Sequence, residues 1–282
     1  MNYQHIYHAG NFADVAKHLA LIRCLEAMKR KDKPFFALDT HCGRGIYDLH
    51  SSQAKQSAEA QRGVLRLLEH GLGERELADY FAAIGARADR RLARYPGSAA
   101  LIAAALRPGD RGVFVELMPV EARAAMRSIG SAGHIRVETA DGYAALKAYL
   151  PPAERRGLVL IDPPYESVDE WPAMLRSFAD AYCRWPSATF LIWYPILDAA
   201  QRRRAHARLE SLRIPKMLCA DLAIHADDAA AGLAGGGLVI VNPPFGIEEP
   251  LRAAYAAIHR HLAPAGAGYV EVARLTPERM AQ

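Results

Sequence analysis

A single stretch near the middle of the chain limits its possible folds more than any other feature. Residues 157–165 read Gly-Leu-Val-Leu-Ile-Asp-Pro-Pro-Tyr. The apolar part has the length of one buried strand, and the two prolines can neither continue a strand nor enter a helix without a break. The chain must therefore turn after Ile161. Asp162 and Tyr165 are expected at the carboxyl end of that strand, where open α/β sheets bind their ligands.

Six other short runs rich in β-forming residues alternate with helical patterns along the chain, which is typical of a mostly parallel sheet in an α/β fold. Together with the first, the predicted strands cover residues 35–38, 112–117, 135–139, 158–161, 189–193, 216–222 and 238–241. We therefore predict one doubly wound, Rossmann-like sheet of seven strands. The last two strands are close in sequence and are expected to form an antiparallel pair at one edge.

Two regions depart from this alternation. Residues 49–98 contain no strand candidate and show only helical patterns. Because this stretch is too long for a simple crossover, we predict an inserted helical subdomain there, with residues 1–48 and 99–282 forming the main domain. The second region, residues 225–237, is rich in glycine and small side chains and is predicted to be a mobile loop.

The composition is that of an ordinary soluble protein, with 51% hydrophobic and 23% charged residues. No apolar stretch approaches the roughly 20 residues of a membrane span, and the N-terminus does not resemble a signal peptide. The four cysteines show no C-x-x-C spacing, so neither a zinc knuckle nor a disulfide framework is predicted. We expect a cytoplasmic, monomeric protein without membrane association. The net charge of +4 permits an anionic partner without requiring one.

The residue types of Asp162, Pro163 and Tyr165 suit a particular chemistry. The amine of a nucleobase is a poor nucleophile because its lone pair is delocalised into the ring. A carboxylate and the Pro163 carbonyl, each accepting one N–H bond, would localise that lone pair, and the tyrosine ring would stack on a flipped base. Asp-Pro-Pro-Tyr in this position resembles the catalytic motif of amino-directed methyltransferases that use S-adenosylmethionine. The simpler alternative is a buried strand followed by an ordinary proline turn.

Three further sites follow earlier predicted strands and form an ordered series with Asp162. The turn at residues 39–45 contains Gly43, where the backbone is able to approach a ligand closely. Glu116 ends the second strand, where an acid accepts hydrogen bonds from ribose hydroxyls in Rossmann-like folds. Asp141 ends the third strand and is suited to an adenine amine. Each acid alone is equally well explained as a helix cap or a surface carboxylate, but together they predict a pocket for S-adenosylmethionine.

A second similar motif, Asn-Pro-Pro-Phe at residues 242–245, follows the seventh predicted strand. No glycine turn or series of acids leads into it. An antiparallel strand in this place would direct its end to the opposite side of the sheet. We therefore predict that this motif is structural.

The N-terminal segment predicts a helix that begins near Asn11 or Asp14, either of which is a suitable N-cap. An apolar stripe at helical spacing supports it: Val15, Leu19, Ile22, Leu25 and Met28. Polar side chains crowd the start of the helix: Tyr3, His5, His8, Lys17 and His18. Because no carboxylate or cysteine stands at helical metal-ligand spacing to these histidines, we predict no metal site.

Two long motifs identify a family to which this chain is similar. They are His-Ala-Gly-Asn-x-Ala-Asp-Val-x-Lys-His at 8–18 and Arg-Arg-Gly-Leu-x-Leu-Ile-Asp-Pro-Pro-Tyr-Glu at 155–166, with shorter ones at 38–45, 95–98, 140–142, 193–195 and 242–244. Through them nearly the whole chain resembles the bacterial RlmJ family. The resemblance implies a Rossmann-like methyltransferase with a small helical insertion, which methylates N6 of an adenine in 23S ribosomal RNA.

The same resemblance assigns roles to individual residues. The implied cofactor contacts, with Gly43 of the glycine turn added, are His18, His41, Gly43, Ser98, Glu116, Asp141, Gly142 and Asp162. Asp162 is also implied to be the catalytic acid, and the predicted catalytic group is completed by Pro163, Tyr165 and Lys17. Tyr3 is implied to meet the RNA, and His5 is assigned to the same contact.

RNA needs a basic surface, and residues 74–94 are predicted to provide one as a helix. One face of that helix would carry Arg87, Arg90, Arg91 and Arg94, although a solvated charged face is an equal alternative. Two rival functions stay open. One is another amine-directed methyltransferase, acting on guanine N2, DNA adenine or a protein amide; the other is a non-catalytic RNA-binding protein. Whether Asp162 removes the proton or only orients the amine is open as well.

Overall fold

The computed structural model describes residues 4–130, 133–167, 169–225 and 232–279. Tyr3 and residues 226–231 of the predicted loop lie outside this part of the chain. The helices are α1 (Phe12–Lys29), α2 (Ser52–Ser57), α3 (Arg66–Gly71), α4 (Ala78–Ala83), α5 (Ser98–Ala105), α6 (Pro119–Ile129), α7 (Gly142–Tyr149), α8 (Glu170–Arg184), α9 (Ala199–Glu210) and α10 (Glu248–Leu262). None of the helices described is both long and apolar enough to span a membrane.

The strands are β1 (Phe36–Asp39), β2 (Ile46–Asp48), β3 (Arg94–Pro96), β4 (Arg111–Glu116), β5 (Ile135–Thr139), β6 (Gly157–Ile161), β7 (Thr189–Ile196), β8 (Met217–Ala223), β9 (Gly235–Val241) and β10 (Tyr269–Arg274). A π-helical segment, Gln61–Leu65, precedes α3. Short 3-10 helices span His5–Tyr7, Arg75–Leu77 and Pro264–Gly266.

Eight strands form one sheet in the order β10-β8-β9-β7-β6-β1-β4-β5. The five strands from β7 to β5 are parallel, whereas β9 is antiparallel to both of its neighbours and β10 is antiparallel to β8. The chain moves outward from β1 to β5 and then returns to β6 on the other side of β1. The carboxyl ends of β1 and β6 therefore flank a topological switch point, the usual ligand site of such sheets.

Helices cover both faces of this sheet, and the buried side chains alternate between the faces along each strand. In β6, Leu158 and Leu160 belong to the core on one face, and Val159 and Ile161 belong to the core on the other. The first core contains side chains of α1, α5 and α10, and the second contains side chains of α7, α8 and α9. Burial on both faces explains why the central parallel strand β6 has an uninterrupted apolar sequence, whereas the edge strand β5 carries polar residues and is only partly buried.

The sheet differs from the predicted one at its antiparallel end. It has eight strands instead of seven, and β10 forms the edge that the β8–β9 pair was expected to form. β9 also begins at Gly235, inside the segment predicted to be a mobile loop. A Cβ atom on Gly237 would lie 2.2 Å from the ring of Tyr194. The glycines that suggested a loop are therefore required, at least in part, by close packing within the sheet.

The predicted helix at residues 74–94 is confirmed only as far as Ala83, and its second half is wrong. α4 ends at Ala83, and Gly85 then takes a left-handed conformation with φ +71°, a common way for a helix to stop. Residues 86–93 are irregular, and Arg94 begins β3, which pairs with β2 in a small second sheet. The four arginines of this region therefore do not share one helix face.

The inserted segment shares a core with the rest of the protein. Val64, Leu67 and Tyr80 belong to the same cluster of buried side chains as Leu19 of α1 and Leu251 of α10. The segment is thus bound to the main domain by apolar packing. Its limits as a subdomain remain a prediction.

Candidate active site

A cavity of about 800 Å³ opens at the carboxyl ends of β1, β4, β5 and β6. This volume is within the range typical of small-molecule sites. A side chain that ends or follows each of these strands lines it, in order His41, Glu116, Asp141 and Asp162. The ordered series predicted from the sequence therefore lies along one wall.

The turn after β1 brings the backbone close to this wall. Gly43 has φ +58°, and a Cβ atom there would lie 2.2 Å from the Tyr47 hydroxyl. Its amide donates to Oε2 of Glu116 at 3.1 Å, and the amide of Met118 donates to Oε1 at 2.8 Å. Burial raises the pKa of Glu116, although these backbone bonds act in the opposite direction. Two amides thus fix the orientation of the Glu116 carboxyl group.

Asp141 and Gly142 form the neighbouring part of the wall. The Asp141 carboxylate accepts from the amide of Ala144 at 2.7 Å and so caps α7, the alternative role considered for it. A Cβ atom on Gly142 would lie 2.2 Å from the Thr40 carbonyl oxygen, so only glycine lets α7 begin this close to β1. Burial lowers the pKa of His41 to about 4, which leaves this imidazole neutral near pH 7.

Ser98 contacts a buried acid that the sequence did not single out as a site residue. Its hydroxyl donates to Oδ2 of Asp39 at 2.6 Å, at the end of β1. Burial raises the pKa of Asp39 to about 7 against the opposing effect of this bond, and the charge of Asp162 raises it further. Asp39 directly follows an apolar strand, the same signal that pointed to Glu116, so sequence reasoning had the means to find it.

The Asp-Pro-Pro-Tyr motif is joined to α1 by a buried ion pair. Lys17 Nζ lies 2.6 Å from Oδ2 of Asp162 and 2.8 Å from Oδ1 of Asp14. Only 5% of the Lys17 side chain is exposed. Burial alone would lower the pKa of Lys17, but the two carboxylates outweigh it and raise the pKa above the usual lysine value. The ammonium group is therefore charged and holds one oxygen of Asp162 in place.

Asp14 connects this pair to the N-terminal segment. Its Oδ2 accepts from the amide of Gly10 at 3.0 Å and lies 2.9 Å from Nε2 of His5. Burial would raise the pKa of Asp14, yet the contact with His5 and the charge of Lys17 hold it well below its usual range. The sequence suggested only a capping role for Asp14. Its spacing of three residues from Lys17 was the available sign of a helical ion pair.

Asn11, not Asp14, is the N-cap of α1, because its side chain accepts from the amide of Asp14 at 2.8 Å. His18 lies one helical turn after Asp14. It is buried, and its Nδ1 lies 2.8 Å from the Tyr95 hydroxyl. Burial lowers the pKa of His18 to about 3. His18 is thus a neutral residue at the back of the cavity.

Tyr165 belongs to an aromatic cluster beside Asp162. Its backbone has φ +52°, which is unusual for a bulky residue. The hydroxyl donates to the carbonyl of Trp193 at 2.8 Å, and the ring centroid lies 5.1 Å from that of Trp171 and 6.0 Å from that of Trp193. These contacts hold a half-buried aromatic ring against the cavity.

Most of the predicted site residues meet at this cavity. They are His5, Lys17, His18, His41, Gly43, Ser98, Glu116, Asp141, Gly142, Asp162, Pro163 and Tyr165. Tyr3 lies outside the described residues. The arginines at 87, 90, 91 and 94 are not among the lining residues; instead Arg62 and Arg66, which the sequence did not single out, stand there.

The Asn-Pro-Pro-Phe motif lies on the side of the sheet opposite to the cavity, as predicted. β9 is antiparallel to β7, so Asn242 follows the end of β9 that is remote from the cavity. Its side-chain amide donates to the carbonyls of Pro186 and Ala188, both at 2.8 Å. Asn242 thereby ties down the connection between α8 and β7, which is a structural role.

Three side chains of metal-binding type lie within 4.8 Å of one another away from the cavity: His206, Cys219 and Asp221. Asp221 already accepts a hydrogen bond from the Tyr194 hydroxyl at 2.5 Å and faces Arg202. The Cys219 thiol donates to the carbonyl of Ala273 at 3.3 Å, and burial raises its pKa to about 12. The group is explained as a buried polar network.

Comparisons with known proteins agree with one another. Residues 32–276 match the family model described as "Ribosomal RNA large subunit methyltransferase D, RlmJ". The chain is 36% identical over 279 residues to "Ribosomal RNA large subunit methyltransferase J" of Escherichia coli, and 36% identical over 280 residues to the protein of the same name from Haemophilus influenzae. Each alignment covers 99% of this chain and 100% of the relative. The crystal structure of protein LPL1258 from Legionella pneumophila matches with a TM-score of 0.86 and 30% identity, over 95% of this chain and 98% of that one.

Proposed function

This chain belongs to the RlmJ family of ribosomal RNA large subunit methyltransferases, and on that basis we propose that it methylates the N6 amine of an adenine in 23S ribosomal RNA with S-adenosylmethionine. The observation that carries the proposal is the Lys17–Asp162 pair, in a cavity that Glu116 and Asp141 also line. A catalytic motif for amines and two acids of cofactor-binding type are thus combined in one site.

The residues on the β1, β4 and β5 side suit the cofactor. Glu116 offers two carboxyl oxygens to ribose hydroxyls, and Asp141 is exposed beside it as an acceptor for the adenine amine. Gly43 and Gly142 leave no room for a Cβ atom, so the wall there is backbone that a ligand is able to approach. When bound, S-adenosylmethionine supplies an electrophilic methyl group on a sulfonium.

The residues on the β6 side suit the target base. Lys17 binds Oδ2 of Asp162, so we assign the other carboxyl oxygen, Oδ1, to one N–H of the adenine amine. The Pro163 carbonyl takes the second N–H, and the Tyr165 ring stacks on the base. The product amine is briefly cationic, and the Asp162 carboxylate stabilises that developing charge. Lys17 is a positioning residue in this scheme, since it contacts Asp162 and not the base.

The decisive experiment is methylation of 23S rRNA, transcribed in vitro, with labelled S-adenosylmethionine and subsequent nucleoside analysis. We expect label in N6-methyladenosine. Label in N2-methylguanosine, in DNA or in protein would replace this proposal by one of the rival methyltransferase activities. RNA binding without any transfer would indicate a non-catalytic protein.

Cofactor binding provides a separate prediction. Glu116→Ala removes the proposed ribose contacts and should weaken S-adenosylmethionine binding by about 1–3 kcal/mol. Titration calorimetry measures the affinity, and thermal unfolding of the same variant tests whether the turn at Gly43 is still formed. Glu138→Ala, an acid of β5 that does not line the cavity, is the control. Unchanged affinity in the Glu116 variant would remove this residue from the cofactor site.

The proposal extends to the state and location of the protein. We propose a monomer that works in the cytoplasm, where ribosomal RNA is present. Light scattering at the concentration used for the methylation assay tests the first point, and cell fractionation tests the second.

A further inference from the structure

The rim of the cavity carries two cations that the scheme above leaves unused. Arg62 lies in the π-helical segment Gln61–Leu65, and Arg66 is the first residue of α3. Both are exposed. Among the described residues that line the cavity, they are the two arginines. Lys17, the lysine of the same cavity, is buried and paired with carboxylates.

Each guanidinium group is positioned by a backbone carbonyl and keeps its charge available. Arg62 donates to the carbonyl of Ser57 at 3.0 Å, and Arg66 donates through Nε to the carbonyl of His261 at 2.8 Å. In the part of the chain that the structure describes, neither belongs to an ion pair, unlike Arg44, which binds Glu121 at 2.7 Å. The two terminal nitrogens of Arg66 are thus left for a bidentate contact with an anion.

The acid next to this rim is already engaged. Glu59 Oε1 lies 2.8 Å from Nδ1 of His8, and Oε2 accepts from the side-chain amide of Asn11 at 2.9 Å. The hydrogen bond to Glu59 raises the pKa of His8, and the protonated histidine offsets the negative charge of Glu59. The charge of Arg62 also helps to lower the pKa of Glu59. Glu59 thus has partners in His8 and the Asn11 side chain, and Arg66 belongs to no ion pair among the residues that the structure describes.

The backbone segment that carries the two arginines is packed against the start of α1. Gly63 departs from helical geometry with φ −105° and ψ −111°, and a Cβ atom there would lie 2.2 Å from the Gly10 carbonyl oxygen. That oxygen accepts from the amide of Val64 at 2.8 Å. The π-helical segment thus rests directly on the turn that begins α1, the helix that carries Lys17. Irregular helical turns of this kind are frequent at functional sites.

We propose, on the basis of the function proposed above, that Arg62 and Arg66 bind the phosphates that flank the target adenine. A flipped base that reaches Asp162 leaves its own phosphates at the mouth of the cavity, where these two side chains stand. Such contacts position the RNA without reading its sequence. The RNA backbone then crosses the rim between the inserted segment and the end of α10, and residues 87–94 lie outside its path.

The test compares two double variants with the same change of charge. Arg62→Ala/Arg66→Ala removes the proposed contacts, and Arg87→Ala/Arg91→Ala removes two exposed arginines outside the cavity. The affinity for 23S rRNA transcribed in vitro is measured between about 50 and 200 mM salt. We expect the first variant to bind at least tenfold more weakly at low salt, with a logarithmic salt slope reduced by about 1.5–2. The second should keep the slope of the wild type.

Two further measurements separate this inference from a loss of folding and from the proposed function. Arg62→Lys/Arg66→Lys should restore most of the salt slope, because each lysine keeps its charge, and cofactor affinity should be unchanged in every variant. An equal loss of slope in both alanine variants, or none in the first, would overturn the inference. A wild type that binds the RNA but methylates no adenine would overturn the proposed function, and the slopes would still decide where RNA binds.

Discussion

The arrangement around Asp162 depends on residues that are far apart in the sequence. Lys17 reaches it from α1, 145 positions away in the chain. Asp14 binds the same ammonium group and is in turn held by the amide of Gly10. Each charge in this group has an opposite partner, which offsets the cost of burying it. The consequence is a carboxylate, at the proposed reaction site, whose position is set by the first helix of the protein.

Asp162→Asn should preserve the fold and slow methyl transfer by about 10²–10⁴-fold, the usual contribution of a positioned acid–base group. Lys17 keeps Asp14 as its partner in this variant, so the buried ammonium is not left alone. Single-turnover rates measure the effect. The control is Asn242→Ala in the similar motif, which should lower the midpoint of thermal unfolding and leave the rate of the folded enzyme near that of the wild type. The opposite pattern would mean that the two motifs have been interchanged.

Asp39 gives a pH dependence of stability with a definite sign. Its pKa in the folded state is raised to about 7, against about 4 in an unfolded chain. The protonated acid therefore favours the folded state fully below about pH 4, and this contribution is lost as the pH rises through the folded pKa. Asp39→Asn cannot ionise. Its free energy of unfolding, relative to the wild type, should rise by as much as about 4 kcal/mol between pH 4 and pH 8.

Urea unfolding of both proteins across this pH range measures the difference. Any constant cost of the amide in place of the acid cancels, because only the change with pH matters. A difference that stays the same at all pH values would show that Asp39 is ionised normally in the folded protein.

At the scale of elements, the contact between the π-helical segment and the start of α1 is the main link between the insertion and the site. It depends on two glycines, since Gly10 has φ +79° and Gly63 lies against its carbonyl oxygen. The Asn11 side chain reinforces it by capping α1 and binding Glu59. The contact between the π-helical segment and the start of α1 thus links the segment that carries the rim arginines, Arg62 and Arg66, to the helix that carries Lys17.

Gly63→Ala should destabilise the protein by about 1–3 kcal/mol, because the added methyl group overlaps the Gly10 backbone and cannot turn away. Gly73→Ala is the matched control, since a Cβ atom there meets nothing within 4 Å. Thermal unfolding with calorimetry compares the two variants. Equal midpoints would mean that the two segments separate readily, and the rim arginines would then lack a fixed position.

At the scale of the whole molecule, the inserted segment and the main domain have one common core. We therefore expect residues 49–98 to unfold together with the sheet instead of separately. Native-state hydrogen exchange in increasing urea should show the amides of Leu67 and Tyr80 merging with those of β6 at the global free energy of unfolding. Exchange of the insertion at a clearly lower free energy would establish it as an independent subdomain.

Local patterns in the sequence determined the class of fold and the main chemistry. Strands β1, β4, β6 and β7 were predicted because parallel strands buried on both faces need continuous apolar runs. The edge strand β5 was predicted from its β-forming residues, between which polar side chains alternate. Asp162, Glu116 and Asp141 were predicted as site residues because each stands at the end of a predicted strand, and the carboxyl ends of neighbouring parallel strands lie on the same side of the sheet. The motifs at residues 8–18, around the start of α1, and at 155–166, around β6, were also long enough to indicate the family correctly.

The tertiary structure alone decided the partners of these residues. The Lys17–Asp162 pair and the place of Arg66 depend on how helices dock on the sheet, and no sequence spacing records that. The order of β8, β9 and β10 could not be predicted either, because antiparallel strands pair with whichever edge of the sheet is still open. The start of β9 was predicted as a loop, because glycines needed for close packing cannot be distinguished in a sequence from glycines of a loop. The prediction that four arginines of residues 87–94 share one helix face was wrong for a related reason. Helical periodicity predicts a shared face only while the helix continues, and this helix stops before Gly85.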